Sequence, residues 1–368
     1  MIRRPFSTLV FAAILGALSL GPPPPAAACA PAPREGATVA IADESAIIVW
    51  DEAKQIEHFV RRASFRSSEK DFGFLVPTPT KPDLTEVSDD AFTTFAYALR
   101  PDRVERHSRT IELTALFVMF FSARKSASMD ATAVAPPPVR VLEEKRVAGY
   151  DAVVLEADDA GALEQWLKEH GYARRPALAE WLQPYVQKRW KLTAFKVADT
   201  TSDAVPAPGG PPQVLGTRAV RMSFATERPF FPYREPRDQR ESLPPSLSAE
   251  RSLRVYFVGP KRVTATIGDG STAFPGTMPW AVPFAPIGVT LPVPPPSDAW
   301  LTVFQDDASP RPGVDELWFD AAKDQSIVKP PPMTVDVKDA IPIPVDLLIV
   351  LGIVGVSIRR AVKRTRKR

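Results

Sequence analysis

Apolar positions recur along this chain with two periods, and both appear in residues 149–197, GYDAVVLEADDAGALEQWLKEHGYARRPALAEWLQPYVQKRWKLTAFKV. Residues 150–156 (YDAVVLE) predict a strand. Asp158 and Asp159 then stand where a helix N-cap places a side-chain acceptor, with negative charge at the positive end of the dipole. Leu163, Trp166, Leu167 and His170 follow the i, i+3, i+4, i+7 spacing of one helix face. Gly171 suits the left-handed residue that closes such a helix, and Pro176 suits the first turn of the next. Leu178, Trp181, Leu182, Tyr185 and Val186 form a second apolar stripe, and Pro184 predicts a kink near Glu180. Residues 190–197 (WKLTAFKV) predict a return strand.

Elsewhere the period is mostly two. Strands are expected at 37–42 and 46–51, with Asp43, Glu44 and Ser45 as turn residues between them. Further strands are expected at 55–62, 71–76, 139–147, 217–224, 253–258, 262–267, 271–274, 300–305 and 316–319. Ser88, Asp89 and Asp90 cap a helix over 91–99 whose Phe92, Phe95 and Leu99 share a face. Residues 111–122 (IELTALFVMFFS) are too short an apolar run to span a bilayer and read as a buried strand. Residues 125–138 read as a loop, 200–213 as a linker, 229–236 (PFFPYREP) as an aromatic turn and 327–340 as a spacer. The fold class expected is α+β. Mostly antiparallel strands surround a strand–helix–helix–strand unit at about 149–197, with one C-terminal transmembrane helix.

Composition changes this picture mainly at the ends. Proline makes up 41 of 368 residues, and its clusters mark loops, edges and spacers. Residues 1–28 combine Arg3 and Arg4, the apolar run 9–20 and Ala26–Ala28, the pattern of a secretory signal peptide. Residues 341–358 (IPIPVDLLIVLGIVGVSI) read as a transmembrane helix, and residues 359–368 as a basic cytoplasmic tail obeying the positive-inside rule. A processed sorting signal is the other reading of that end. Residues 29–328 then form an extracytoplasmic domain, with a sub-boundary at 200–213, and 329–340 a proline-rich spacer. Removing the nine basic residues of the two ends from a formal charge of +3 leaves −6 between them, so no nucleic-acid partner is expected. The lone cysteine, Cys29, excludes an intramolecular disulfide. It directly follows small residues, as a lipidated cysteine does, although Ala26 stands where leucine is usual.

Candidate chemistry is sparse. His58, His107 and His170 do not share helical metal spacing, and there is no nucleophile elbow, phosphate loop or dinucleotide fingerprint. Asp89–Asp90 and Asp158–Asp159 read as helix caps and Asp306–Asp307 as a turn. Trp166 and Trp181 read as core residues; Trp280 lies in a proline-rich loop, where core or loop packing is the favoured reading and an exposed aromatic marking a contact surface is the other. No catalytic, cofactor or metal residue is assigned.

Several pieces together resemble a bacterial family, domain of unknown function 2330, over about residues 29–258. They are CAP at 29–31, VAIADESAIIVWD at 39–51, DFGFLVPTPTKPDLTEVS at 71–88, VAGYDAVVLEADDAGALEQWLKEHGY at 147–172, YVQKRWKLTAFKV at 185–197 and VRMSFATERPFFP at 220–232. The resemblance implies a signal peptide and, in some members, a C-terminal helix. It implies no reaction, cofactor or catalytic residue. The chain departs from members that have a second cysteine soon after the first. The function expected is a non-enzymatic binding or assembly module of the cell envelope, held to the lipid bilayer by its C-terminal helix and meeting an envelope protein or polysaccharide. The alternative is an envelope hydrolase whose acidic residues converge only in the fold.

Overall fold

β-Branched and aromatic residues in alternating or continuous runs favour extended chain, and the protein is 45% strand and 16% helix. The computed structural model describes residues 30–114, 140–201, 211–241, 251–284, 291–308, 311–344, 355–356 and 358–360. In chain order the elements are β1 (Ala30–Ala32), β2 (Val39–Asp51), β3 (Ile56–Ser67), β4 (Gly73–Thr78), β5 (Asp83–Glu86), α1 (Asp90–Ala98), β6 (Arg103–Thr114) and β7 (Arg140–Val147). Next come β8 (Tyr150–Glu156), α2 (Ala160–Glu169), α3 (Pro176–Gln187), β9 (Lys191–Val197), β10 (Gln213–Gly216), β11 (Val220–Ala225), β12 (Phe230–Phe231) and α4 (Arg237–Glu241). The last are β13 (Ser252–Gly259), β14 (Val263–Ile267), β15 (Thr277–Pro283), β16 (Trp300–Asp306), β17 (Leu317–Ala321) and β18 (Met333–Pro344).

The expected fold class is corrected by this inventory. The chain is mostly β rather than α+β, and no helix among the described residues is long and apolar enough to cross a membrane. Residues 341–344 are not the start of a helix; they end β18 as extended chain. Alternating Val335, Val337, Ile341 and Ile343 carry the period of a strand, and Pro342 and Pro344 lack the N–H a helix interior needs. Residues 1–29, 115–139 and 345–354 lie outside the described residues, and with them the leader, Cys29 and most of the expected span.

The chain divides into two units, residues 1–99 with 131–329 and residues 100–130 with 330–368. In the second, β18 and β6 form a parallel ribbon, in register from Met333 against Arg103 to Pro344 against Thr114. Most of the stretch read as a spacer is therefore strand.

The first unit is layered. An eight-stranded sheet runs β15-β16-β13-β2-β3-β11-β5, with β10 also on β3. A five-stranded sheet runs β1-β4-β9-β8-β7, and β12-β17-β14 form a third. Within these sheets all pairs are antiparallel except β13 with β2. Phe59 and Phe65 of the large sheet share one core with Phe74, Tyr150 and Phe195 of the smaller, so the two pack face to face. The Phe74 ring stacks on Phe65 and Phe195, at centroid separations of 5.4 and 5.0 Å. Burying such a ring contributes about 1.5–3 kcal/mol. Leu163, Trp166, Leu178 and Trp181 of α2 and α3 cover the other face of the five-stranded sheet. Phe92 and Phe95 of α1 cover the other face of the large one.

Local signals act as their chemistry dictates in places and are overruled in others. Asp159 caps α2, accepting the Ala162 N–H at 2.8 Å. Asp89 does not cap α1; its carboxylate accepts the Ala219 N–H at 2.9 Å. Residues 43–45 are not a turn, because β2 runs through them with a register shift between Ile41 and Asp43. Residues 229–236 are not a surface turn either: Phe230, Phe231 and Tyr233 are fully buried.

Both overruled stretches place acids in the interior. Glu44 pairs with Arg61, whose guanidinium lies 4.4 Å from the Phe74 ring centroid. Glu235 pairs with Arg251 at 3.1 Å, and Asp306 with Arg311 at 2.8 Å. The Tyr233 hydroxyl donates to Asp306 at 2.8 Å. Desolvation pushes the Glu235 carboxyl up and the Arg251 guanidinium down, while each holds the other towards its charged form. Arg311 and Glu44 also act on this pair, so the three pairs form one electrostatic cluster. Two further acids lie on backbone or phenol donors instead. Glu316 accepts the Tyr185 hydroxyl, and burial lifts it to about 7. Glu57 accepts the Phe230 N–H at 2.9 Å, and burial raises it well above the usual carboxylate range.

Arg61→Ala removes the guanidinium that faces buried Glu44 and is expected to cost about 3–5 kcal/mol in urea denaturation, whereas Arg61→Met combined with Glu44→Leu recovers most of that loss. Equal loss in both variants would show that the pair's charge is irrelevant. Glu57 supplies a second test. Because folding raises its pKa above the reference value of 4.5, the folded chain keeps a proton that the unfolded chain gives up as the pH climbs past that value. Its contribution is most favourable below pH 4.5 and declines as pH rises towards the folded pKa. As the pH rises above 4.5 the wild type should therefore lose stability relative to Glu57→Gln. Parallel melting curves across that range would mean that folded Glu57 is already ionised.

Candidate functional site

The turn between β2 and β3, the chain after β4, the β11–β12 connection, the end of α3 and strand β17 all contribute to one open cavity of about 570 Å³. Its walls include Gln55, Thr80, Trp190, Thr226, Arg228 and Trp318.

Each wall is held by local chemistry. Helix α3 ends with the Arg189 N–H on the Val186 carbonyl and the Trp190 N–H on the Tyr185 carbonyl, both at 2.9 Å. Arg189 occupies the left-handed position between them, at φ +55°, where glycine is usual. That closure turns Trp190 back over the core. Gln55 also has a left-handed backbone, at φ +52°, and its carbonyl accepts the Thr226 N–H at 2.9 Å. The Thr226 hydroxyl donates to the Arg228 carbonyl and the Thr80 hydroxyl to the Ala225 carbonyl, each at 2.9 Å. A left-handed non-glycine residue costs of order 1–2 kcal/mol, so Gln55 in the lining and Arg189 next to Trp190 are maintained by the bonds around them.

The aromatic part is a bent platform. The half-buried Trp190 and Trp318 rings meet edge-to-face at 82°, with centroids 6.4 Å apart. Phe230 lies 5.1 Å from each and carries the N–H that Glu57 holds. The Arg228 guanidinium sits 5.1 Å from the Trp318 centroid, and its Nε donates to Asp320 at 2.8 Å while Nη2 pairs with the second Asp320 oxygen. A neighbouring cavity of about 280 Å³ shares Gln55, Glu227 and Arg228 and is also lined by Glu52, Lys261 and Asp320.

The residues singled out from sequence lie elsewhere. Trp280 is half-buried in β15 against the α1-side core, and Phe284 lies 5.8 Å from the Phe95 ring, so they do not form a flat exposed patch. His170 stacks on Trp166 at 3.7 Å, with Nδ1 2.7 Å from the Trp166 carbonyl. His58 meets the Ser223 hydroxyl at 2.8 Å, and His107 is exposed beside Glu105. Asp306, expected in a turn, is buried on Arg311. Among the described residues no group of three or more His, Cys, Asp or Glu could hold a metal ion. Trp190, Trp318, Gln55 and Arg228 went unmarked in the sequence. They come from four distant segments, and the one available signal was tryptophan beside a helix stop or a strand end.

No curated protein matches the chain significantly. Among solved structures, the crystal structure of baculovirus P35 aligns over 77% of this chain and 98% of that one, at 10% identity and a TM-score of 0.33, too low to carry an argument about fold. The family described as an uncharacterized protein conserved in bacteria, DUF2330, matches residues 23–300, and the chain belongs to it.

Proposed function

We propose that the protein is an exported binding module of the bacterial cell envelope, and that the Trp190–Trp318 cavity is where it holds its ligand. One observation carries the proposal: two half-buried tryptophans meet over an open cavity whose turns are cross-bonded and locally strained. At about 570 Å³ the cavity has the size of a small-molecule site, for which about 300–1,000 Å³ is usual. Preformed walls reduce the ordering cost of binding. The leader-like pattern of residues 1–28 supports export.

A hydrolase is the second reading, favoured by one observation. Glu52, Glu227 and Asp320 line the smaller cavity together, as a reaction using two carboxylates would require. Asp320 is committed to Arg228, which leaves Glu52 and Glu227 for such a role.

Purified full-length protein should sediment with a bacterial envelope fraction, and Trp318→Ala should release it without lowering the melting temperature by more than a few degrees. Retention that is indifferent to Trp318 would remove the cavity from the function. Glu52→Gln, which lines the smaller cavity and not the larger one, separates the two readings: a binding module keeps its ligand unchanged, whereas a hydrolase would hold it and cease to release product.

A further inference from the structure

We infer that the cavity takes a neutral saccharide, with sugar rings lying on Trp190 and Trp318 and hydroxyls bonded by Gln55 and Thr80. The inference rests on the ligand-binding reading above and adds the chemical class of the ligand.

The first argument is shape. Two indole rings at 82°, packed on Phe230, stand in two planes at the cavity, each with a cation over part of it: the Arg228 guanidinium 5.1 Å from the Trp318 centroid and Lys188 Nζ 5.7 Å from the Trp190 centroid. A chain of pyranose rings presents successive C–H faces in different planes, each flat enough to lie on an indole. An apolar side chain would instead call for an enclosed pocket. These walls are mixed, with an exposed amide at Gln55 and an exposed hydroxyl at Thr80 beside the rings.

The second is hydrogen-bond polarity. The Thr80 hydroxyl spends its proton on the Ala225 carbonyl, so it meets a ligand as an acceptor. The Gln55 amide offers both a donor and an acceptor. Vicinal hydroxyls, each able to donate and accept, match that pair.

The third is charge. Lys54 is neutralised by Asp51 at 2.7 Å and Arg228 by Asp320. Glu227 in the lining offsets Lys188, whose Nζ lies 5.7 Å from the Trp190 centroid. A phosphate-rich or uronic-acid polymer would find no net positive field there. A neutral ligand meets no such barrier.

The probes are chitotetraose, cellotetraose and maltotetraose as neutral saccharides, hexagalacturonate as the anionic control, and titration calorimetry of the full-length protein. At least one neutral tetrasaccharide should bind saturably, with a dissociation constant unchanged between about 50 and 500 mM salt. Trp318→Ala should weaken it roughly 30-fold or more, the cost of truncating a central aromatic anchor. Gln55→Gly should weaken it about tenfold while leaving the melting temperature equal or higher, since φ +52° suits glycine and the backbone carbonyl stays in place. That second variant keeps the test valid should Trp318→Ala fail to fold. Tighter, salt-sensitive binding of hexagalacturonate would overturn the neutral-ligand assignment. Binding of no tetrasaccharide, with envelope retention still dependent on Trp318, would overturn the saccharide class and leave the binding role standing. Retention independent of Trp318 would remove both.

Discussion

Charged groups cannot leave water alone, and three acids and three arginines do so together in the interior of this protein. Glu44, Glu235 and Asp306 face Arg61, Arg251 and Arg311, all of them nearly or fully buried. The cost of desolvating each is recovered only when its partner lies within hydrogen-bond reach, so the strands carrying them have little freedom of register. A one-residue slip of β2 against β3 would turn Glu44 outward and leave Arg61 facing Phe74 without it. The aromatic stack of Phe65, Phe74 and Phe195 lies at the same interface. It would tolerate several arrangements, whereas the ion pairs tolerate very few.

That rigid interior is what allows the surface cavity to be strained. Phe230 supports both tryptophans, and its N–H is held by a carboxyl whose pKa burial pushes well above the usual carboxylate range. Trp318 of β17 follows by two residues Glu316, which precedes the strand and holds the phenol of Tyr185, whose ring lies 5.7 Å from Trp190. The two walls of the cavity are therefore tied through one buried hydrogen bond. The left-handed residues Gln55 and Arg189 sit on the outer ends of the same framework, where neighbouring backbone bonds hold them.

Local chemistry was legible where a side chain acts within its own turn. Asp159, Gly171 and Pro176 mark helix boundaries because their effect reaches only a few residues along the chain. The same reasoning misread Asp43–Ser45 and residues 229–236, since polar and proline residues look alike whether water or a buried partner satisfies them. Arg61 lies 17 positions from Glu44, and Arg251 lies 16 from Glu235. Nothing in a local window announces either pair. The apolar C-terminal run was misjudged at its start for a related reason: residues 333–344 have a strand partner at 103–114, and pairing with a distant segment overrides hydropathy.

The amino-acid sequence by itself determined the family, the strand–helix–helix–strand order of residues 149–197 and the packing of Trp166 and Trp181, because these follow from periodicity and short-range capping. Tertiary structure alone decided that the protein is mostly β, that its acids are paired inside, and that Gln55, Thr80, Trp190, Arg228 and Trp318 share a cavity. The physical reason is separation along the chain. Positions 55 and 318 meet because buried strands bring their ends together, and no period or motif in one segment encodes the register of another.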